Sequence, residues 1–315
     1  MNIIVGKILN LNEDGIEALK ATIKNLIDQV ANLSSLNLSE LGSVIIPEDF
    51  GEALINFQKE KGLPIGYTNN AHAKARAKVL NYISGSRREC TIFIDKEIIA
   101  CLYDKGAQPL AINTIHHELC HVHDYFYKNR LFSIEDRAFD DYLLSRLYDN
   151  SWGLWSEYFA LRKSAPTIPL GSDLDIPFLK ELVEEISSEI EEHIKEYRLD
   201  ADINKLFPII DSKVGFLLTM TVTCLGRIHG LGDYAENIIE GTTEIDFKNL
   251  FGKNEFNETW KSLWVELEII YNKYPDWNGM EVFDELNEIV LNTWNLFGIF
   301  PEKTERNELY IDVPL

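Results

Sequence analysis

The stretch TIHHELCHVHD, residues 114–124, contains the pattern His-Glu-x-x-His at His117, Glu118 and His121. On an α-helix each residue turns by about 100°, so residues four apart return to the same face and two imidazoles can bind one metal ion. The glutamate between them then lies beside the metal, where it can take a proton from a bound water. A chain of this composition would contain a His-acid-x-x-His pattern, with either Asp or Glu as the acid, by chance about 0.02 times. The motif therefore predicts a metal-binding helix with Glu118 as the general base.

The apolar residues around the motif predict how this helix packs. On a helical wheel five of them fall on one side, and His117, His121 and Asp124 fall on the opposite side. The five are Ile112, Ile115, Leu119, Val122 and Phe126. A helix packed through this stripe would turn the two histidines away from the core and into a cleft. We expect the helix to cover about residues 110–129.

A second set of potential ligands, His116, Cys120 and His123, has the spacing i, i+4 and i+7 and shares another face of the same helix. Histidine and cysteine together bind structural zinc. This set has no adjacent acid for catalysis, and the sequence does not identify a fourth ligand for it. We therefore interpret His116 and His123 as groups that flank the site or orient its ligands, with a structural zinc site as the alternative.

The composition is that of an ordinary soluble globular protein, with 315 residues of which 45% are apolar and 26% charged. Neither a signal peptide nor an apolar run of roughly 18 residues is evident, so we expect no secretion and no membrane span. Four cysteines without paired spacing favour reduced thiols and a cytoplasmic location. The net charge of −21 would repel nucleic-acid phosphates and anionic membranes. We expect neither as a partner.

The chain ahead of the motif predicts two helices and then a β-hairpin. A helix over residues 15–33 carries an apolar stripe with helical period behind a cap at Asn12 or Asp14, and a second is expected between Pro47 and Gly62. Residues 67–99 then change to short β-branched and aromatic runs around Gly85. A strand directly ahead of the metal-binding helix belongs either to the core or to a sheet edge that binds an extended peptide substrate.

Behind the motif we expect a capping box at Ser133 and Asp136, a helix over residues 138–148, a break at 149–151, and a further helix over 152–163. That last helix carries one acid, Glu157, in a densely aromatic and apolar segment around Trp155. Burying a carboxylate without a partner is costly, and a metal ion is a natural partner. Glu157 is therefore the preferred third ligand.

Three other acids remain alternatives for the third ligand. Asp124 lies on the motif face but on the same helix, where it is better suited to orient a histidine. Asp140 and Asp141 lie in a more polar helix, which favours solvated side chains.

The motif at His117, Glu118 and His121, followed by Glu157-x-x-Ala160 on a second helix, resembles the gluzincin clan of zinc metallopeptidases. Within that clan the short intracellular bacterial proteins of the ImmA/IrrE type are the nearest. The resemblance covers about residues 90–164 and implies a zincin-like core, with zinc held by the two histidines and Glu157. It also implies peptide-bond hydrolysis with Glu118 as the base.

The chain departs from this pattern at three points. Cys120 stands where a small residue is common, and 36 residues separate His121 from Glu157, more than in compact members. No segment resembles a DNA-binding helix-turn-helix. In gluzincins a later His, Tyr or Arg often stabilises the oxyanion, which makes Tyr158, Arg227 and His229 secondary candidates. For Arg227 and His229 the alternative is a polar turn that satisfies the carbonyls at a helix end.

Taken together, the sequence predicts an α+β fold that is predominantly α-helical. We expect an N-terminal helical segment (1–62), a zincin-like metal-binding core (63–165) and a helical C-terminal region (166–315), with a Pro- and Gly-rich boundary at 164–177. The predicted function is a zinc metallopeptidase acting on a peptide or protein. The alternatives are a non-catalytic helical binding protein with structural zinc, and another metal-dependent hydrolase.

Overall fold

The computed structural model describes residues 1–7, 11–69, 74–133, 139–169, 171, 174–234, 247–303 and 309–314. The protein is 65% helical with a small mixed sheet, which confirms the predicted α+β, predominantly helical class. The strands are β1 (Asn2–Val5), β2 (Leu41–Ile46), β3 (Ala77–Ser84), β4 (Arg87–Ile94), β5 (Phe300–Lys303) and β6 (Leu309–Asp312). The helices are α1 (Glu13–Leu33), α2 (Phe50–Lys61), α3 (Lys96–Cys101), α4 (Gln108–Leu131), α5 (Tyr142–Ser164), α6 (Ile176–Asp200), α7 (Ile203–Tyr234), α8 (Phe256–Lys273) and α9 (Asp284–Leu296).

The chain forms two compact units. Unit 1 comprises Met1–Lys128 and Lys163–Ser172, and unit 2 comprises Asn129–Arg162 and Asp173–Leu315. The division into three segments that the sequence suggests stays a prediction.

Unit 1 is built on a four-stranded sheet with the order β1-β2-β4-β3. The strands β1, β2 and β4 are parallel, and β3 is antiparallel to β4. The expectation that residues 1–62 are helical after a short start is therefore incomplete, because β2 lies between the two helices of that segment. Its six residues are too few for periodicity to separate a strand from a helix. The strand forms because β4, far along the chain, supplies its backbone partners.

The two faces of this sheet bury different clusters, as the period of two along a strand requires. Ile92 and Ile94 belong to the larger cluster, which also contains apolar residues of α1 and α4. Phe93, between them, packs on the opposite face with Phe50 and Leu54 of α2. The sheet thereby fixes one side of the helix that carries the His-Glu-x-x-His motif.

The predicted helix ends in this unit are confirmed. The Asn12 side chain accepts a hydrogen bond from the Gly15 amide at 2.9 Å and so caps α1. Helix α2 begins behind Asp49, whose carboxylate caps it, and ends at Gly62 with a left-handed φ of 64°. Glycine adopts this conformation without steric cost.

The predicted hairpin is also confirmed, as β3 and β4 joined at Gly85. The strand directly ahead of the motif helix, β4, is internal to the sheet because it pairs with both β2 and β3. It is therefore a core strand and not a substrate-binding edge. Among the described residues β3 pairs only with β4, which makes β3 an edge strand of the sheet.

Unit 2 is a helical assembly with a terminal two-stranded sheet of β5 and β6. The predicted break at 149–151 is wrong, because α5 runs without interruption from Tyr142 to Ser164. The polar residues there find partners: Asn150 donates to the Arg146 carbonyl at 2.9 Å, and the buried Ser151 hydroxyl donates to Asn287 at 2.7 Å. Of the predicted capping box, Asp136 lies outside the described residues.

Helix α7 is the most apolar helix of unit 2. Its span Ile203–Gly232 has a mean hydropathy of 1.4 and is long enough to cross a membrane by length and composition alone. Half of this window is buried within the protein, as in the core helix of a soluble protein. The structure is therefore compatible with a soluble protein.

Candidate metal centre

His117 and His121 lie one turn apart on α4, as the motif predicts. Their Nε2 atoms are 3.0 Å apart and the two ring planes are nearly perpendicular, at 88°. A carboxylate oxygen of Glu157 on α5 completes a group in which all three ligand atoms lie within 4.8 Å of one another. No other set of three His, Cys, Asp or Glu ligand atoms in the described part of the chain forms such a group.

The spacing of the two nitrogens fits a tetrahedral ion. With metal–nitrogen bonds of about 2.0–2.1 Å, tetrahedral geometry separates two ligand nitrogens by about 3.3 Å. The observed 3.0 Å between His117 and His121 differs from this by a few tenths of an ångström. A small rotation of either ring would open the pair to this distance. Two imidazoles and one carboxylate also form a three-ligand set that catalytic zinc uses, with a further position open to water.

Burial differs among the residues of this group. His121 is buried, whereas His117 and Glu157 are half-buried. Glu118, which follows His117, is also buried, with 7% of its surface exposed. The group is therefore shielded from bulk water at His121 and partly open at His117 and Glu157.

The apolar stripe of α4 packs as predicted, and the opposite side of the helix is covered as well. Ile115, Leu119 and Val122 belong to the core of unit 1. The helix is buried on nearly every side from Ile115 to Asp124, with His117 the half-buried exception. The wheel predicts one buried stripe from apolar residues, but the polar residues Glu118, His121 and Asp124 are buried as well.

A polar cluster fixes the first half of α4 against the segment that follows α5. The Thr167 hydroxyl donates to the Ser164 carbonyl at 3.0 Å, so its oxygen is left to accept hydrogen bonds. Asn113 donates to that oxygen at 3.1 Å and to the Ser164 carbonyl at 3.1 Å. His116 Nδ1 lies 2.9 Å from the same oxygen. These contacts involve the residues one and four positions before His117, the first predicted ligand, and set the rotation of α4.

The same cluster assigns the proton of His116. Because the single proton of Thr167 points to Ser164, Nδ1 of His116 is the donor and Nε2 carries no proton. Burial lowers the pKa of His116 from its ordinary 6.5 to about 4, with smaller contributions from His117 and Lys163. The imidazole is therefore neutral near pH 7. Its Nε2 is buried without a hydrogen-bond partner among the described residues.

His123 and Cys120 are likewise engaged in the fold of unit 1. His123 Nδ1 accepts a hydrogen bond from the Asn37 amide at 2.8 Å, and burial, followed by the charge of Lys163, lowers its pKa to about 4. Cys120 is fully buried, which raises the pKa of its thiol well above the ordinary value. The structure does not bring His116, Cys120 and His123 together as a metal site. Because their ligand atoms do not form a group among the described residues, the structure gives no support to the alternative of a structural zinc at this set.

The three acids that the sequence leaves as alternatives to Glu157 do not belong to the group of ligand atoms. Asp124 is fully buried on α4 and is not part of the group of ligand atoms. Asp141 caps α5 through the Leu144 amide and forms a salt bridge with Lys303 at 3.0 Å. Asp140 is exposed. Glu157 is the acid that the structure brings to the two histidines.

The secondary candidates for oxyanion stabilisation form contacts of their own in unit 2. The Tyr158 hydroxyl lies 2.7 Å from His229 Nδ1 and accepts from Arg162 at 2.6 Å. Arg227 pairs with Asp175. Arg227 and His229 lie inside α7, which continues to Tyr234, so the interpretation as a polar helix end is wrong. None of the three is part of the group of ligand atoms.

Sequence reasoning missed two positions that matter for this region. Thr167 fixes the motif helix, and Gly226 of α7 allows the close approach of α5, which carries Glu157. A Cβ at Gly226 would lie 2.8 Å from the Tyr158 carbonyl oxygen. The glycine in an otherwise apolar helix was the available signal for close packing.

Comparison with known proteins assigns no family to this chain: no family model, no curated protein and no solved structure matches it.

Proposed function

We propose that this protein is a zinc-dependent metallopeptidase in which His117, His121 and Glu157 bind the metal and Glu118 is the general base. The observation that carries the proposal is the convergence of the three ligand atoms within 4.8 Å. The acid required for water activation stands next to the first histidine in the same helix. The resemblance to gluzincins stays a prediction and agrees with this assignment.

The chemistry of the donor set favours zinc. Neutral imidazole nitrogens and one carboxylate are ligands that zinc accepts in a four-coordinate site. A bound zinc ion would lower the pKa of a water ligand to about 7 and polarise the substrate carbonyl. The same ligands also suit other divalent metals, so another metal-dependent hydrolase is the alternative at this site.

In this proposal Glu118 moves the proton. Its carboxylate accepts a proton from the attacking water and delivers it to the leaving nitrogen, while the water oxygen bonds to the carbonyl carbon and the C–N bond breaks. Burial of Glu118 suits this role, because few competing waters reach a side chain with 7% exposure. Proton transfer by a positioned side chain contributes about 10²–10⁴-fold in rate.

A peptide or protein substrate is supported by the exposed edge of the sheet in unit 1. In the described part of the chain β3 pairs with no strand other than β4, so it is the edge strand beside which an extended peptide would add. Such strand addition provides affinity through main-chain hydrogen bonds. Nucleic acid and anionic membranes are disfavoured as partners by the net charge of −21. Four free cysteines favour a cytoplasmic location.

The substitution Glu118→Gln tests the proposal. Wild-type protein loaded with zinc is expected to cleave members of a random peptide library, measured by mass spectrometry of new termini. Glu118→Gln should bind the same amount of zinc and cleave at least about 100-fold more slowly, because the amide cannot accept the proton. Equal cleavage by both proteins would contradict the mechanism. Zinc binding without cleavage by wild type would favour the non-catalytic binding protein.

A further inference from the structure

A groove with an apolar floor lies between α8 and α9 in unit 2. On the α8 side Val265 and Ile269 are 56% and 39% exposed, and their spacing of four places them on one face of the helix. Val282 and Ile289 line the other side, and the groove has a volume of about 740 Å³. Single exposed apolar residues are ordinary, whereas Val265 and Ile269 lie side by side and give this groove an apolar surface next to its charged rim.

The rim of the groove is acidic. Four acids line it, against two lysines, Lys261 and Lys273; the acids are Glu266 of α8 and, on the α9 side, Glu281, Asp284 and Glu285. In the described part of the chain no Lys or Arg forms a salt bridge with Glu266, Glu281 or Glu285. Lys261, which itself lines the groove, pairs with Glu258 instead. The groove therefore offers carboxylates whose charge is not neutralised by an ion pair within the chain.

The carboxylate of Glu266 lies in an unfavourable electrostatic environment. It is half-buried in the middle of α8, and burial together with the charge of Glu285 raises its pKa, although the charge of Lys273 acts in the opposite direction. Glu285 lies in the first turn of α9, where the helix dipole stabilises a negative charge. No such effect stabilises Glu266. Two carboxylates from the two sides of the groove thus repel each other, and a cation placed between them would relieve this repulsion.

We propose that this groove binds a basic amphipathic helix of a partner protein. The apolar face of that helix would cover Val265 and Ile269, and its Lys and Arg side chains would pair with Glu266, Glu281 and Glu285. An amphipathic helix presents apolar residues at the spacing of three and four that the groove requires. A second copy of this chain is disfavoured as the occupant, because each copy carries a net charge of −21.

The test uses a model peptide as the probe. A fluorescein-labelled 18-residue helix of Leu and Lys, with Leu on one face, is titrated with the full chain at about 0.15 M salt and followed by anisotropy. Binding below about 100 µM is expected, and a matched Leu/Glu peptide should not bind. The double variant Glu266→Lys/Glu285→Lys and the variant Val265→Asn/Ile269→Asn should each weaken binding about tenfold or more. Glu266→Gln should weaken it less than the charge reversal.

Matched controls lie on α6, away from the groove. Glu192 and Leu199 are exposed there, Leu199 at 90%. Glu192→Lys and Leu199→Asn should leave peptide binding unchanged, which separates binding in the groove from general attraction of a basic peptide to an acidic protein.

Absence of Leu/Lys peptide binding, or an equal loss of binding in the control variants, would overturn the proposal. A dimer in sedimentation that Val265→Asn/Ile269→Asn disrupts would assign the groove to a second copy and overturn it as well. Glu118→Gln should bind the peptide normally, so this test is independent of peptidase activity.

Discussion

The substitution Gly226→Ala should separate α7 from α5, the helix that carries Glu157. The added Cβ would lie 2.8 Å from the Tyr158 carbonyl oxygen, 2.9 Å from the Leu161 Cβ and 3.4 Å from the Arg162 amide nitrogen. The first two distances are shorter than real Cβ contacts. Backbone atoms and a Cβ cannot turn aside as the end of a flexible side chain can. The two helices must therefore move apart by about half an ångström, as overpacking of a dense interior requires.

The expected magnitude follows from two opposing effects. Overpacking costs about 1–3 kcal/mol. Replacing glycine by alanine in a helix interior raises the free energy of unfolding by about 0.5–1 kcal/mol, because alanine loses less backbone entropy on folding. Gly215→Ala is the matched control on the same helix, since its Cβ would meet only the Asn150 side chain at an ordinary 3.5 Å. The helix effect is common to both, so the difference between the two variants isolates the overpacking cost.

The assay is urea unfolding followed by circular dichroism, with equal slopes required before the free energies of unfolding are compared. Gly215→Ala should be stabilised by about 0.5–1 kcal/mol, and Gly226→Ala should be less stable than it by about 1–3 kcal/mol. Because Tyr158 is the chain neighbour of Glu157, Gly226→Ala should also bind zinc more weakly. Equal stabilisation of the two variants would refute the close approach of the helices.

Three further predictions concern side chains of unit 1. Thr167→Val should lower the free energy of unfolding by about 1–3 kcal/mol, because His116 and Asn113 lose an acceptor, whereas Thr167→Ser should be nearly neutral in urea unfolding. The pKa values of His116 and His123 are about 4, below the ordinary 6.5, so only the unfolded chain binds these protons. The contribution of these two neutral histidines to the free energy of unfolding is therefore complete above pH 6.5. It should fall by about 3 kcal/mol per histidine as the pH drops to about 4, which urea unfolding midpoints of the metal-free protein would measure. Among the thiols, the half-buried Cys101 should react first with a thiol reagent, while Cys90, whose pKa burial raises to about 12, should react only after unfolding.

Two control variants test the assignments of the acid dependence and of the thiol reactivity. The double variant His116→Gln/His123→Gln should flatten the acid dependence between pH 6.5 and 4, and an unchanged slope would refute the assignment to these histidines. A Cys101→Ser protein should lose the fast phase of thiol labelling. A fast phase that survives in it would show that a buried cysteine is accessible.

Local patterns predicted the elements that depend on local physics. The apolar period predicted α1 and α4, and Gly62 marked the end of α2, because helix packing and left-handed caps are encoded within a few residues. The spacing of His117 and His121 likewise fixes their proximity on one helix face. A carboxylate in an apolar segment needs a partner, which indicates Glu157 as the third ligand, and its carboxylate belongs to the group of ligand atoms with the two histidines.

Features that depend on distant partners were not predictable in this way. Strand β2 needs the backbone of β4. His123 is buried because the Asn37 amide, 86 residues away, donates to it. Helix α5 continues through residues that usually break helices because Asn287, far along the chain, accepts from Ser151. In each of these cases the partner lies beyond any local sequence window.

The central claim is that Glu157 and the two histidines bind one zinc ion. Its most direct measurement is zinc affinity of the full chain by competition with a chromogenic chelator. Wild type and Asp149→Asn, a control acid exposed on the same helix α5, should bind one zinc ion per chain with equal affinity. Glu157→Gln should bind at least about 100-fold more weakly, because one of three ligands loses its charge. Unchanged affinity in Glu157→Gln, or no zinc binding by wild type, would contradict the claim.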